Sequence, residues 1–188
     1  WQLTKALESW AWDGCNGEPA KVEVYARAAQ VELFINGKSV GKKKVKKCRA
    51  NFNTTYQDGE ITAVSYDENG REINRYSLQT AGKETVLQVR PEEKTVKSEG
   101  LAFIQLQYTD NKGIWKPMEK HNIKVTVENG VLKGLGSPAP YVKGNYTDHT
   151  VATYYGEAMA VVQADGNGPV KVTVADEERF YVVEIPCE

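Results

Sequence analysis

The chain has 188 residues and a formal net charge of −1, with 40% hydrophobic and 26% charged residues; that is enough apolar material for packed cores, and it excludes a disordered polyelectrolyte. Divided near residue 84, it carries 13 basic and 11 acidic residues and then 11 and 14, so neither part is expected to bind nucleic acid or a membrane surface. No apolar run approaches the roughly 20 residues that insert into a bilayer as a helix, and three scattered cysteines, Cys15, Cys48 and Cys187, form neither a disulfide framework nor a four-ligand zinc site.

The apolar residues alternate with polar ones almost everywhere, the period of a half-buried strand, whose successive side chains point to opposite faces. Val22–Ala26 and Val31–Ile35 are the first clear strands. Asn36-Gly37 follows, a dipeptide suited to the two-residue hairpin turn that needs positive φ at both positions, so the chain is expected to reverse into a strand over Lys38–Val45. Asn51–Tyr56 and Glu60–Tyr66 read as a pair around Asp58-Gly59, and Asp67–Gly70 turns the chain into Arg71–Gln79. The small residues Thr80-Ala81-Gly82 then close the series, and strand patterning restarts at Thr85–Val89. It continues through Leu101–Tyr108, Ile123–Glu128, Thr150–Tyr154, Ala158–Ala164, Val170–Ala175 and Phe180–Ile185, with turn signals at Asp110–Gly113, Asn129-Gly130 and Asp165–Gly168.

Since 188 residues exceed a typical single domain of about 100–150, these two series predict two domains, 1–83 and 84–188. The expected fold is all-β: two tandem immunoglobulin-like antiparallel β-sandwiches, because short strands punctuated by turns about every ten residues are their pattern. The antibody Cys-Trp-Cys spacing is absent, so the expectation concerns architecture only. A bridge between Cys15 and Cys48 is a minor alternative to free thiols.

Little in the chain resembles catalytic machinery. Glycosidic hydrolysis by the usual route needs two carboxyl groups about 5–10 Å apart, and the acids here fall at turns (Asp58, Asp67, Glu68, Asp110, Asp165) or on solvent faces (Glu23, Glu32). They are expected to be solvated. His121 and His149 lie far apart and no Gly-x-Ser-x-Gly elbow is present. Asp148-His149 are strand neighbours whose side chains should diverge. Asp165-Gly166-Asn167-Gly168 lacks the closing glutamate of a calcium loop and reads as a plain turn. Lys42–Lys47 reads as a charged edge strand that discourages sheet aggregation. No catalytic residue, metal or cofactor is expected.

Trp10, Trp12, Trp115, Tyr141 and Tyr146 are candidates for a sugar-stacking or domain-contact surface, because planar rings match the apolar faces of pyranoses. The blander expectation is that Trp10 and Trp12 pack beneath a sandwich edge or against a neighbouring domain, with Trp115 in a hairpin loop.

Trp10-Ala11-Trp12-Asp13-Gly14, then Val22-Glu23-Val24-Tyr25, then Val31-Glu32-Leu33-Phe34-Ile35-Asn36-Gly37-Lys38-Ser39-Val40-Gly41 resemble the region that follows the catalytic barrel in bacterial β-galactosidases of glycoside hydrolase family 2. Gly59–Val64, Thr80–Gly82, Asn129-Gly130 and Gly156–Val162 continue the resemblance in order, while the loop Gly113–Pro117 departs from it. The resemblance implies a larger exo-glycosidase whose two catalytic glutamates lie in its barrel, leaving this stretch as a non-catalytic accessory region. Its implied partner is the catalytic domain of the parent chain, with a second subunit or a carbohydrate as further candidates and no nucleic acid or membrane insertion. A carbohydrate-binding module and a cell-surface adhesion pair are the alternatives. The chain opens at Trp1 as an excised piece would, so the lack of a leader carries no information; a periplasmic or secreted bacterial parent is an expectation only.

Overall fold

The computed structural model describes residues 6–141 and 144–188, and among them it contains strands and turns but no helix. The chain divides into two compact units, the first ending at Ala81 and the second starting at Gly82. Each has its own apolar core.

The first unit is built from β1 (Pro19–Tyr25), β2 (Gln30–Ile35), β3 (Lys38–Lys44), β4 (Arg49–Thr55), β5 (Glu60–Tyr66) and β6 (Glu72–Gln79). β1 and β4 form a two-stranded sheet opposite a four-stranded sheet in the order β3-β2-β5-β6, all antiparallel. Val31, Leu33 and Ile35 point inward along β2, where they meet Ala50 and Phe52 of β4. Asn36 and Gly37 have φ of 50° and 76°, as the hairpin turn requires. Asn36 also ties a second turn: its Nδ2 donates to the Asp58 carbonyl at 2.9 Å and its Oδ1 accepts from the Glu60 amide at 2.8 Å. Any Cβ on Gly59 would occupy the space of that Asn36 side chain, so glycine is required there.

One sequence expectation fails here. β4 and β5 do not pair around Asp58-Gly59; β4 pairs with β1, and β5 with β2 and β6. Ala50 and Phe52 have to cover Leu33 and Ile61 across the core, so the chain crosses between layers instead of folding back as a hairpin. β3 is an edge strand, as the lysine run suggested, and Lys42 Nζ sits 3.5 Å from the centre of the Tyr66 ring.

The second unit contains β7 (Val86–Pro91), β8 (Leu101–Thr109), β9 (Asn122–Glu128), β10 (Gly130–Gly136), β11 (Thr150–Ala152), β12 (Glu157–Ala164), β13 (Val170–Ala175) and β14 (Phe180–Ile185). Its sheets run β10-β12-β8-β7 and β11-β9-β13-β14. With β11 set aside, this is the immunoglobulin constant-type order, four strands facing three. After β7 the chain switches sheets, and Val96 bridges in parallel to Cys187 beyond β14. Strand β10 was not anticipated, because Gly130, Gly134 and Gly136 erase the apolar alternation that marks the others. The core joins both sheets through Leu87, Ile104, Leu106, Ile123, Val125, Val162 and Val172, all at most 1% exposed. The three cysteines are free thiols.

Candidate functional site

The half-buried and buried acids of the second unit are held by networks, which the sequence did not suggest. Asp110, expected at a solvated turn, is buried, and its carboxylate accepts the backbone N–H groups of Gly82, Lys112 and Ile114 at 2.7, 2.8 and 2.8 Å. Burial alone would raise its pKa, but these three donors outweigh it and hold the group below its usual value. Asp176, at the turn after β13, accepts the Tyr108 hydroxyl at 2.7 Å and the amides of Glu178 and Arg179 at 2.9 and 2.7 Å. Burial again works against ionisation, and the hydrogen bonds again prevail. Tyr108 correspondingly resists deprotonation, through burial and its bond to Asp176.

Glu119 is the third such acid. Its Oε1 accepts from the Thr85 hydroxyl at 2.7 Å and lies 3.1 Å from Lys116 Nζ, while its Oε2 is 2.8 Å from His121 Nε2. The His121 ring stacks on Tyr108 at 4.3 Å between centres. Desolvation pushes the Glu119 pKa up, yet the bonds from Thr85, His121 and Lys116, with the Lys116 charge, bring it down to about 2. Because the folded value lies below the unfolded one near 4.5, the stabilisation is fully present above that unfolded value and disappears as the pH falls towards 2. Allowing for 22% side-chain exposure, Glu119→Gln should cost about 2 kcal/mol at neutral pH and flatten the acid limb of the stability curve. Thermal unfolding of both proteins at pH 7 and pH 3 measures this; equal losses on acidification would exclude the role.

The hydrogen bonds of Asp110, Glu119 and Asp176 hold these carboxylates in the ionised form, which is the wrong form for a general acid near neutrality. A glycosidic general acid must stay protonated near neutrality, which demands a raised pKa. Among the described residues, every carboxylate whose pKa departs from its ordinary value, Glu23, Glu72, Asp110, Glu119 and Asp176, is shifted down. Asp148 and His149 diverge as expected: the Asp148 Oδ2 accepts the Asn145 amide, while His149 Nδ1 lies 3.1 Å from the Val125 carbonyl. Asp165 caps its own turn by accepting the Asn167 amide, and the described residues contain no cluster of metal-ligating side chains.

The aromatic candidates separate into different settings. Trp10 is 4% exposed, so it belongs to the first core and has no free face for a sugar. Its indole donates to the Gln57 carbonyl at 2.9 Å, and its ring lies 4.8 Å from that of Tyr56. Trp12 is half-buried beside that core. Trp115 is half-buried in the loop after β8, where its indole donates to the Tyr155 carbonyl at 2.8 Å. Tyr141 and Tyr146 stand out at 93% and 63% exposure.

A concavity of the first unit follows from its unequal layers, since two strands cannot cover four. A groove of about 790 Å³ opens between β1 and β6, with Val22, Val24, Leu78 and Trp12 among its apolar walls and Tyr76 at its mouth. The Tyr76 hydroxyl donates to Glu8 at 2.6 Å while the side chain stays 56% exposed.

Two family models match the chain. Residues 17–74 match a domain of unknown function (DUF4982), and residues 87–179 match glycoside hydrolase family 2 C-terminal domain 5. A β-galactosidase of Bacteroides ovatus, BoGH2A, is 28% identical over 171 residues, covering 87% of this chain and 20% of that protein. A putative β-glucuronidase of Formosa agariphila is 33% identical over 130 residues, covering 61% of this chain and 12% of its own length. The chain therefore spans a fifth or less of the length of these relatives. Among solved structures, a glycosyl hydrolase family 2 member from Bacteroides cellulosilyticus superposes with a TM-score of 0.89 at 25% identity, over 97% of this chain and 24% of the other.

Proposed function

The chain belongs to the C-terminal accessory domains of glycoside hydrolase family 2, and on that premise we propose that it serves a longer glycosidase by packing its first unit's open groove against the remainder of that polypeptide. The observation that carries this reading is the half-covered inner sheet face. Val22, Val24 and Leu78 line an apolar groove that the unit's own described strands leave open, and an uncovered apolar groove of this kind marks an interaction surface. The relatives extend far beyond the matched stretch, which supplies the occupant: other parts of the same chain. Domain interfaces within one chain commonly bury about 600–1,500 Å².

In this reading the parent hydrolyses an O-glycosyl bond, and a β-galactoside is its substrate, by likeness to the relative that covers most of this chain. The two catalytic carboxyls lie outside the present 188 residues, whose own shifted acids are all committed to the charged form.

The purified chain is expected to fold and to show no turnover of aryl β-galactosides or β-glucuronides; hydrolysis that survived purification controls would reject the accessory role. In the longer enzyme, removing this region should lower the thermal stability of the catalytic part. Tyr76→Ala, a change at an exposed position, should reproduce some of that loss and leave the isolated chain's unfolding unchanged. An enzyme indifferent to both changes would exclude docking through the groove.

A further inference from the structure

On the second unit, the outer face of the β10-β12-β8 sheet carries a hollow of about 590 Å³, within the usual size range of small-ligand sites of about 300–1,000 Å³. We propose that this hollow is a binding site for a neutral hexopyranose, with Tyr146 as its stacking wall and Gln107 and Glu157 as its hydroxyl-binding pair. The inference does not depend on the docking groove of the first unit.

The wall comes from an unusual contact. Gly134 and Gly136 lie across from Val161 and Met159 in the β10–β12 ladder, and neither glycine projects a side chain over the sheet. Tyr146 takes that space. A Cβ on Gly136 would lie 2.8 Å from both Cδ1 and Cε1 of the tyrosine, so one edge of the ring rests over the glycine. The Tyr146 carbonyl accepts the Leu135 amide at 2.6 Å, which fixes the backbone below the ring. The ring is thus held in place yet 63% exposed, the combination that lets an aromatic face bury the C–H face of a sugar at little entropic cost.

The polar side is equally fixed. Gln107 Nε2 donates to Glu157 Oε1 at 2.8 Å, and Gln107 Oε1 accepts from Arg90 Nη2 at 3.3 Å. The cation on one side and the carboxylate on the other settle which way the amide points. Gln105 donates to Glu92 at 3.2 Å and faces Met159 across the ladder. A pyranose presents one apolar face and a rim of hydroxyls that both donate and accept, which suits an aromatic wall, a Met159 and Val161 floor and a carboxylate–amide rim. Glu157 also sets the ligand's charge: a uronate would bring a second carboxylate against it.

The test uses the isolated chain and methyl β-galactoside, followed by NMR of its side-chain amides and backbone. Millimolar sugar is expected to shift the Gln107 and Gln105 side-chain amides and the Gly136 amide. Tyr146→Ala and Glu157→Gln should each weaken binding by roughly tenfold, whereas Tyr141→Ala, at a residue outside the hollow, should not. Glucuronate should bind more weakly than the methyl galactoside. No shift of these amides up to about 50 mM sugar, which corresponds to a binding free energy weaker than about −2 kcal/mol, would overturn the site. Unchanged affinity in Tyr146→Ala, or equal binding of glucuronate, would overturn the assigned wall or the assigned charge preference.

Discussion

Trp10→Ala is expected to unfold the first unit while the second unit keeps its own melting transition. Trp10 is 4% exposed and packs in the core formed by Val31, Leu33, Ile35, Phe52, Tyr56 and Ile61. Truncating a buried tryptophan to alanine costs about 3–5 kcal/mol, through lost transfer energy and the cavity left behind. The truncation also removes the indole N–H donated to the Gln57 carbonyl at 2.9 Å. The Trp10 backbone carbonyl, which the substitution leaves in place, accepts from the Thr80 hydroxyl at 3.1 Å and from Tyr56 Oη at 3.3 Å, so the entry segment, the core and the end of β6 meet at the residue whose packing is lost. For a unit of this size, each kcal/mol moves the midpoint by about 4–8 °C, and the expected drop is therefore roughly 15 °C or more. Against a total stability of about 5–15 kcal/mol, such a loss leaves the unit marginal. Calorimetry on the whole chain should show the first unit's transition displaced or absent and the second unit's in place. A shift of only a few degrees would mean that Trp10 is not a core anchor, and simultaneous loss of both transitions would mean that the two cores do not melt separately.

Asp110→Ala should destabilise the second unit by about 3 kcal/mol, although the hydrogen bonds of its carboxylate among the described residues are to backbone amides and not to a charged side chain. Its carboxylate is the acceptor for three backbone amides, and removing it leaves three donors without partners in a position that is 1% exposed. The loop from Asp110 to Ile114 depends on two of those bonds, and the segment at Gly82 on the third. Asp110→Asn is the sharper probe. Its Oδ1 retains the bonds to Lys112 and Ile114, but its amide nitrogen turns a donor towards the Gly82 N–H, so about half of the loss should remain. Urea unfolding with an unchanged slope would report these differences as stability alone. An alanine variant as stable as the parent would show that water replaces the carboxylate and that the burial is not structurally required.

Much of the strand content was legible because alternation is a local property. Glu60–Tyr66, Val170–Ala175 and Phe180–Ile185 coincide with the strands seen, and the others differ by a few residues at their ends. The Asn36-Gly37 turn was legible because only certain residues accept positive φ at both central positions. The ordered motif series from Trp10 to Val162 also anticipated the family.

Other features left no local trace. β10 is rich in glycine, so no periodicity marked it. Asp110 carries the signature of a turn, Asp-x-x-Gly, and that signature reads the same whether the carboxylate caps amides in the interior or in water; only its neighbours at Gly82 and Ile114 decide. Glu119 and His121 are two apart, a spacing that puts both on one side of an extended chain and could have been noticed. Gln105 and Gln107 fall within the strand read over Leu101–Tyr108, but nothing in that stretch announced Glu157, which lies 50 positions beyond Gln107 and across the ladder from it.

By itself, then, the sequence determined the β class, the positions of the turns and the resemblance to family 2 accessory domains, since each depends on residues close together in the chain or on a matching order of motifs. The tertiary structure alone decided which strands share a sheet, that Trp10 and Asp110 lie inside, and where the groove and the glycine-backed hollow open. Those outcomes depend on which distant surfaces bury one another: strand pairing and desolvation are settled by contacts between segments tens of residues apart, and alternation along one strand is the same whichever partner it finds.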